Sequence, residues 1–125
     1  MENKSKKILI VEEDQSLSVP LTDKFKNEGF DVFTASDGEV GLELVKKEKP
    51  DLVLIDILLP KMDGISMAEK INELGFGTLM IFLTNLSDST HISDAVQVDV
   101  TDYLVKSDWS INDIVTRVKQ KLDIK

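Results

Sequence analysis

Asp56 ends an apolar run, Leu52-Val53-Leu54-Ile55, and is followed at once by Ile57-Leu58-Leu59-Pro60-Lys61-Met62-Asp63-Gly64. A carboxylate at the tip of a buried strand is costly to desolvate, so it needs a reason to be there. Other apolar runs end in the same way: Ile8 to Val11 in Glu12-Glu13-Asp14, Leu79 to Leu83 in Thr84, and Tyr103 to Val105 in Lys106. Strand tips that carry acid, acid, hydroxyl and amine point to one shared site. Glu12, Glu13 and Asp56 in one partly buried place would repel one another strongly unless they shared a cation. Only oxygen ligands are on offer, with no His or Cys nearby in sequence. That selects a hard ion, Mg²⁺ with several retained waters. No Gly-rich loop follows the first strand, and Glu12-Glu13-Asp14-Gln15-Ser16 would repel a bare phosphate, which argues against a P-loop or flavin-phosphate binder. A phosphoryl group could enter only with its charge neutralised. Lys106 would add a second positive charge and Thr84 a hydroxyl donor. Together these groups describe a carboxylate that accepts a phosphoryl group as an acyl phosphate.

Such a site needs strands that bring their tips together. The pattern predicts strands at Lys7–Val11, Asp31–Ala35, Leu52–Asp56, Leu79–Leu83 and Asp102–Val105. Three of these are almost wholly apolar, the mark of a parallel sheet covered on both faces, whereas the mixed Asp31–Ala35 reads as an edge strand. Amphipathic stretches fill the gaps. Leu17, Leu21 and Phe25 mark a first helix, closed by Gly29 as its C′ residue; Pro20 within it requires a start near Ser16. Ser36-Asp37-Gly38-Glu39 has capping-box form and opens a second helix bearing Val40, Leu44 and Val45, which Pro50 stops. A third carries Met67, Ala68, Ile71 and Leu74, then Gly75, with Asp63-Gly64 turning into it. Ile92, Ala95 and Val96 mark a fourth. The fifth has Ser110 as N-cap and Ile111, Ile114, Val115, Val118 and Leu122 on one stripe. Five βα units of this size predict an α/β fold: a flavodoxin-like, doubly wound five-stranded parallel sheet of order 2-1-3-4-5. In such sheets ligands bind beyond the carboxyl ends of the strands, at the switch in strand order. Strands one and three flank that switch, which brings Glu12, Glu13 and Asp56 together.

Composition limits the partners. The chain has 125 residues, enough for one domain with a proper core and too few for two. Its net charge of −8 and the lack of a basic stripe beyond Lys4, Lys6 and Lys7 argue against direct nucleic-acid binding. There is no cysteine, hence neither a disulfide nor a thiolate metal site. No apolar stretch approaches a membrane span or a signal peptide, so a cytoplasmic location without membrane contact is expected.

Taken in order and with their spacing, these pieces resemble the receiver domain of bacterial two-component response regulators, of CheY-like type. The matching segments are Ile8-Leu9-Ile10-Val11-Glu12-Glu13-Asp14, Asp51 to Asp56, Leu59-Pro60-Lys61-Met62-Asp63-Gly64, Phe82-Leu83-Thr84 and Asp102-Tyr103-Leu104-Val105-Lys106. They run over essentially the full length, so residues 1–125 are expected to form a single receiver domain. The resemblance implies that Asp56 is the phosphoacceptor, served by a histidine kinase or a phosphotransfer protein. Glu12 and Glu13 would hold Mg²⁺ together with Asp56 and the Leu58 backbone carbonyl. Lys106 would pair with Asp56 and then with the phosphoryl group, Thr84 would hydrogen-bond a phosphoryl oxygen, and Tyr103 would be the switch aromatic. The readout surface would be the fourth helix, fifth strand and fifth helix. It would act on a downstream protein or a fused effector, and a homodimer through the same surface is compatible with it.

The chain departs from the family pattern at several places. Glu13 stands where Asp is usual, and its extra methylene carries the carboxylate outward; it then binds the metal differently or leaves Asp14 to help. Ser107 replaces the usual proline after Lys106. A cis bond before a non-proline residue costs about 2.5–4 kcal/mol, so a trans peptide and a reshaped loop are expected. Asn85 follows Thr84 where a small residue is usual and would narrow the way to the phosphoryl group, and Asp99 stands at a common glycine position. Leu58 and Leu86, two residues beyond Asp56 and Thr84, cannot orient an attacking water, which implies slow self-dephosphorylation.

Plainer readings stand beside these. Lys106 alone would be a solvated lysine and Thr84 an ordinary strand end. Trp109 would pack under the start of the fifth helix, and His91 would be a surface residue. Two other functions compete: a degenerate receiver working by protein contacts without phosphorylation, and a phosphohydrolase with Asp56 as covalent nucleophile. The second would want an acid two residues beyond Asp56, where this chain has Leu58.

Overall fold

Short runs of Ile, Leu and Val build the sheet. The computed structural model describes residues 5–85, 100 and 102–123. Its strands are β1 (Lys7–Val11), β2 (Asp31–Ala35), β3 (Leu52–Asp56), β4 (Leu79–Thr84) and β5 (Asp102–Val105). They pair in parallel in the order β2-β1-β3-β4-β5, as the pattern predicts. β4 extends past its expected end to take in Thr84. Successive residues of β1 and β3 point to opposite faces, as the two-residue period of a strand requires. Leu9, Val11, Val53 and Ile55 enter one apolar cluster, and Ile8, Ile10, Leu52 and Leu54 the other. Helices cover both faces, which is why these strands are continuously apolar.

The helices are α1 (Gln15–Asn27), α2 (Gly38–Glu48), α3 (Gly64–Leu74) and α4 (Ile111–Lys121). The helix expected around Ile92, Ala95 and Val96 lies outside the described residues, as do Leu86, His91 and Asp99, so α4 is the fifth helix of the sequence pattern. Leu21 and Phe25 of α1 and Ile114 and Val118 of α4 pack on one face; Leu42 and Val45 of α2 and Met67 and Ile71 of α3 pack on the other.

Each helix begins at a side-chain cap. Asp14 Oδ1 accepts from Ser16 N at 2.9 Å and from Ser16 Oγ at 2.7 Å. Pro20 lies inside α1 beyond its first turn, where its missing N–H removes one helical bond. α2 departs from expectation. Its cap is Asp37, whose Oδ1 accepts from Val40 N at 2.9 Å, and not Ser36. Of the apolar residues expected on this helix, Val45 is buried and Leu44 is partly buried against the core, whereas Val40 is exposed and Leu42 is buried. Asp63 caps α3 through Ser66 N at 2.8 Å, and Ser110 and Asp113 cap α4 reciprocally. The Lys106–Ser107 peptide is trans, and Lys106–Asp108 form a single tight turn ahead of α4. Trp109 packs against the cluster beneath α4, with the Arg117 guanidinium 4.8 Å from its ring centre. Among the described residues, no helix is long and apolar enough to cross a membrane.

Candidate functional site

Parallel strands open their carboxyl ends on one edge of the sheet. There β1 hands the chain to Glu12, β3 ends in Asp56, β4 ends in Thr84 and β5 hands over to Lys106. The register sets Val11 beside Ile55, Asp56 beside Leu83 and Thr84 beside Val105, so the tips are level. They enclose a cleft of about 310 Å³ lined by Glu12, Glu13, Asp14, Asp56, Leu58, Thr84, Asn85 and Lys106. Sequence positions as distant as 12 and 106 thus meet in one place. Tyr103 is not in the cleft. It pairs with Phe82 in the sheet and packs, half-buried, against the α2–α3 side of the core.

The centre of the site is a lysine between two acids. Lys106 Nζ lies 2.5 Å from Glu12 Oε1 and 3.1 Å from Asp56 Oδ2. Backbone amides hold the remaining oxygens: Asp14 N donates to Glu12 Oε2 at 3.0 Å, and Leu58 N donates to Asp56 Oδ1 at 3.3 Å. Glu12 and Thr84 are almost completely buried. Burial, reinforced by the charge of Glu12, pushes the Asp56 carboxyl up to about 6 even with the Lys106 ammonium beside it. Burial also works against the Lys106 charge, but Glu12 and Asp56 outweigh it and hold the amine above the ordinary lysine range. One ammonium therefore does not neutralise the cleft.

Glu13 lines the cleft from its exposed rim. Asp14 serves as the cap of α1, and its bonds to Ser16 hold its carboxyl below the usual range. Among the described residues, no three Asp, Glu, His or Cys side chains form a ready-made metal cage. A hard ion that keeps its waters needs only one or two carboxylates, and the donors facing the cleft are oxygens. The residues present therefore fit Mg²⁺ in donor type and in their unbalanced negative charge.

Two features escaped the sequence reading. The Glu12–Lys106 pair is shorter than the Asp56–Lys106 pair, so Glu12 also acts as counter-ion to the lysine. Gly64, read as a turn residue, lies hard against β3: a methyl group there would overlap the Asp56 carbonyl and crowd Ile57. The Asp-Gly pair was the only sequence signal for it.

A family model of the response regulator receiver domain matches residues 8–119. Among curated relatives, the alkaline phosphatase synthesis transcriptional regulatory protein PhoP of Bacillus subtilis is 33% identical over 115 residues, 92% of this chain and 48% of that protein. Sporulation initiation phosphotransferase F of the same organism is 31% identical over 121 residues, 97% of each. The chain thus spans about half of the first relative and nearly all of the second. A CheY-like receiver domain from Methanospirillum hungatei superposes with a TM-score of 0.90 at 28% identity, covering 96% of this chain and 95% of that one. A chain of the CheX-CheY-BeF3-Mg²⁺ complex from Borrelia burgdorferi superposes with a TM-score of 0.83 at 28% identity, covering 96% and 90%. By its sheet order, its cleft and these matches, the chain belongs to the receiver domain family of two-component response regulators.

Proposed function

We propose that this chain is a phosphorylation-controlled switch whose phosphoacceptor is Asp56, charged by a histidine kinase or a phosphotransfer protein. The observation that carries the reading is the Lys106 ammonium 3.1 Å from Asp56 Oδ2 at the mouth of a cleft whose other walls are Glu12, Glu13 and Thr84. An Asp56 oxygen forms the new bond to phosphorus while the bond from phosphorus to the donor breaks, its electron pair leaving with the donor. Lys106 neutralises phosphoryl oxygens, the Thr84 hydroxyl donates to one of them, and the Leu58 amide keeps the carboxylate oriented. Glu13, Asp56, the Leu58 carbonyl and Glu12 would hold Mg²⁺, which supplies charge neutralisation to the transferring group. Leu58 offers no proton to a leaving group, which favours a switch over a phosphohydrolase.

Phosphorylation adds about 1.5–2 negative charges at one point. Drawing Thr84 and Lys106 toward that charge biases the ends of β4 and β5, and with them Tyr103. In this reading the altered face is that of β5, α4 and the segment read from the sequence as the fourth helix, and the recipient is a downstream protein or a fused effector. Beryllofluoride with Mg²⁺ tests the reading by amide NMR. Shifts at residues 56–58, 84–85 and 103–106 that vanish in Asp56→Asn support it. No shift, or the same shift in Asp56→Asn, overturns it.

A further inference from the structure

We propose that Gly38, outside the cleft at the start of α2, is a positioning residue that holds the loop after the phosphoacceptor in its working shape. The proposal rests on the reading of Asp56 given above.

The loop of residues 57–63 touches the reacting carboxylate through Leu58 N, which donates to Asp56 Oδ1 at 3.3 Å. Its ends are fixed by neighbours in the fold: Ile57 N donates to Leu83 O at 3.3 Å, and Gly64 N donates to Ile57 O at 2.8 Å. Its middle is anchored from α2, where Gly38 N donates to Pro60 O at 3.3 Å. Directly beyond that anchor, Met62 N donates to Pro60 O at 2.7 Å and closes a tight turn over Lys61, whose φ is 67°. A side-chain-bearing residue adopts that conformation at a cost, and it persists only where the surroundings hold it.

Gly38 is the part of the surroundings that does so. A methyl group on it would overlap the Met62 carbonyl oxygen and stand 2.8 Å from the Met62 carbonyl carbon and 2.9 Å from its Cβ. These are mainly backbone atoms, which cannot swing aside like the end of a flexible chain. Gly38 has no positive φ, so it is the close approach, not the backbone angle, that demands glycine. The helix cannot retreat easily either. Asp37 caps it, Leu42 and Val45 are buried, and Gly41 lies against Val11 and Met67. A substituent at residue 38 must therefore push the loop, and the displacement reaches Leu58 and the Asp56 carboxylate.

The test uses the full chain with Mg²⁺ and acetyl phosphate. In this reaction an Asp56 oxygen bonds to phosphorus, and acetate leaves with the electrons of the broken P–O bond. Phosphoryl uptake is followed by intact mass, the Leu58 amide by NMR, and stability by urea unfolding. Gly38→Ala is expected to slow uptake about tenfold or more and to shift the Leu58 amide. Val45→Ala, which weakens α2 packing away from the loop, should lose stability yet react at the wild-type rate. Adding Lys61→Gly to Gly38→Ala relaxes the turn and should restore uptake to within about threefold of wild type. That double variant also decides the matter if Gly38→Ala alone does not fold. A Gly38→Ala chain as fast as wild type, a Val45→Ala chain equally slowed, or a double variant that stays slow or unfolded overturns the proposal. A wild-type chain that takes up no phosphoryl group overturns the reading of Asp56, and the proposal with it.

Discussion

Lys106, just past the end of β5, places its ammonium 3.1 Å from Asp56 Oδ2 at the end of β3, two strands away. The same ammonium is 2.5 Å from Glu12, so it is the counter-charge for both acids. Lys106→Ala leaves the two carboxylates facing each other. Near neutral pH it is expected to lower stability by about 1–3 kcal/mol, less than for a fully buried pair because the cleft opens to solvent. The loss should shrink as pH falls through about 6 and toward 5, where Asp56 takes up a proton and the repulsion is relieved. Urea unfolding at the two pH values measures this; equal or greater stability of the variant near neutral pH contradicts it.

Asp56 gives a second pH dependence. Its carboxyl is raised from 3.8 to about 6 in the fold, chiefly by burial and then by Glu12. The folded state therefore holds this proton more tightly than the unfolded state. The contribution to stability is full below about 4 and is lost as pH rises through about 6. Without divalent ions, Asp56→Asn removes that loss. It should be more stable than wild type by about 1–3 kcal/mol at neutral pH, with the advantage fading toward pH 4. Thermal unfolding across this range measures it, and a constant difference, or one that grows as pH falls, counts against the assignment.

The metal reading separates three adjacent acids. Asp14 is occupied as the α1 cap, Glu12 is tied to Lys106 and to Asp14 N, and Glu13 faces the cleft from its rim. Glu13→Gln should weaken Mg²⁺ binding about tenfold, since affinity follows the number of charged ligands. Asp14→Asn, which keeps a good cap, should change it less than about twofold. Calorimetric titration with Mg²⁺ decides. A large effect at Asp14 with none at Glu13 would move the ligand role one residue along the chain.

Much of this fold and site is legible in the sequence. β3 reads to the residue because a strand buried on both faces is uninterrupted in its apolar character until Asp56 breaks it. The convergence of Glu12, Asp56, Thr84 and Lys106 followed from strand order alone. The α2 cap was misplaced because Ser36 and Asp37 are both good caps and adjacent. Nothing in the sequence could give the Glu12–Lys106 contact, which depends on where a flexible lysine ends. Nor could it give the approach of Gly38 to Met62 or of Gly64 to Asp56, which exists only once two elements are packed.

Leu58 is 53% exposed at the mouth of the cleft, so an apolar side chain stands where water must arrive to hydrolyse an acyl phosphate. The phosphorylated chain should outlive seconds at neutral pH without a phosphatase. Leu58→Asn, which can hold and orient a water, should shorten that lifetime by about tenfold. Following the loss of the phosphoryl group by mass measures both, and an unchanged lifetime in the variant removes Leu58 from the account.

The central claim, that Asp56 is the residue phosphorylated in a cation-assisted cleft, is tested most directly by intact mass spectrometry after treatment with acetyl phosphate, with and without Mg²⁺. Wild type should gain the mass of one phosphoryl group only when Mg²⁺ is present, and Asp56→Asn should gain none. A wild-type chain that stays unmodified with Mg²⁺, or an Asp56→Asn chain that gains the same mass, would contradict it.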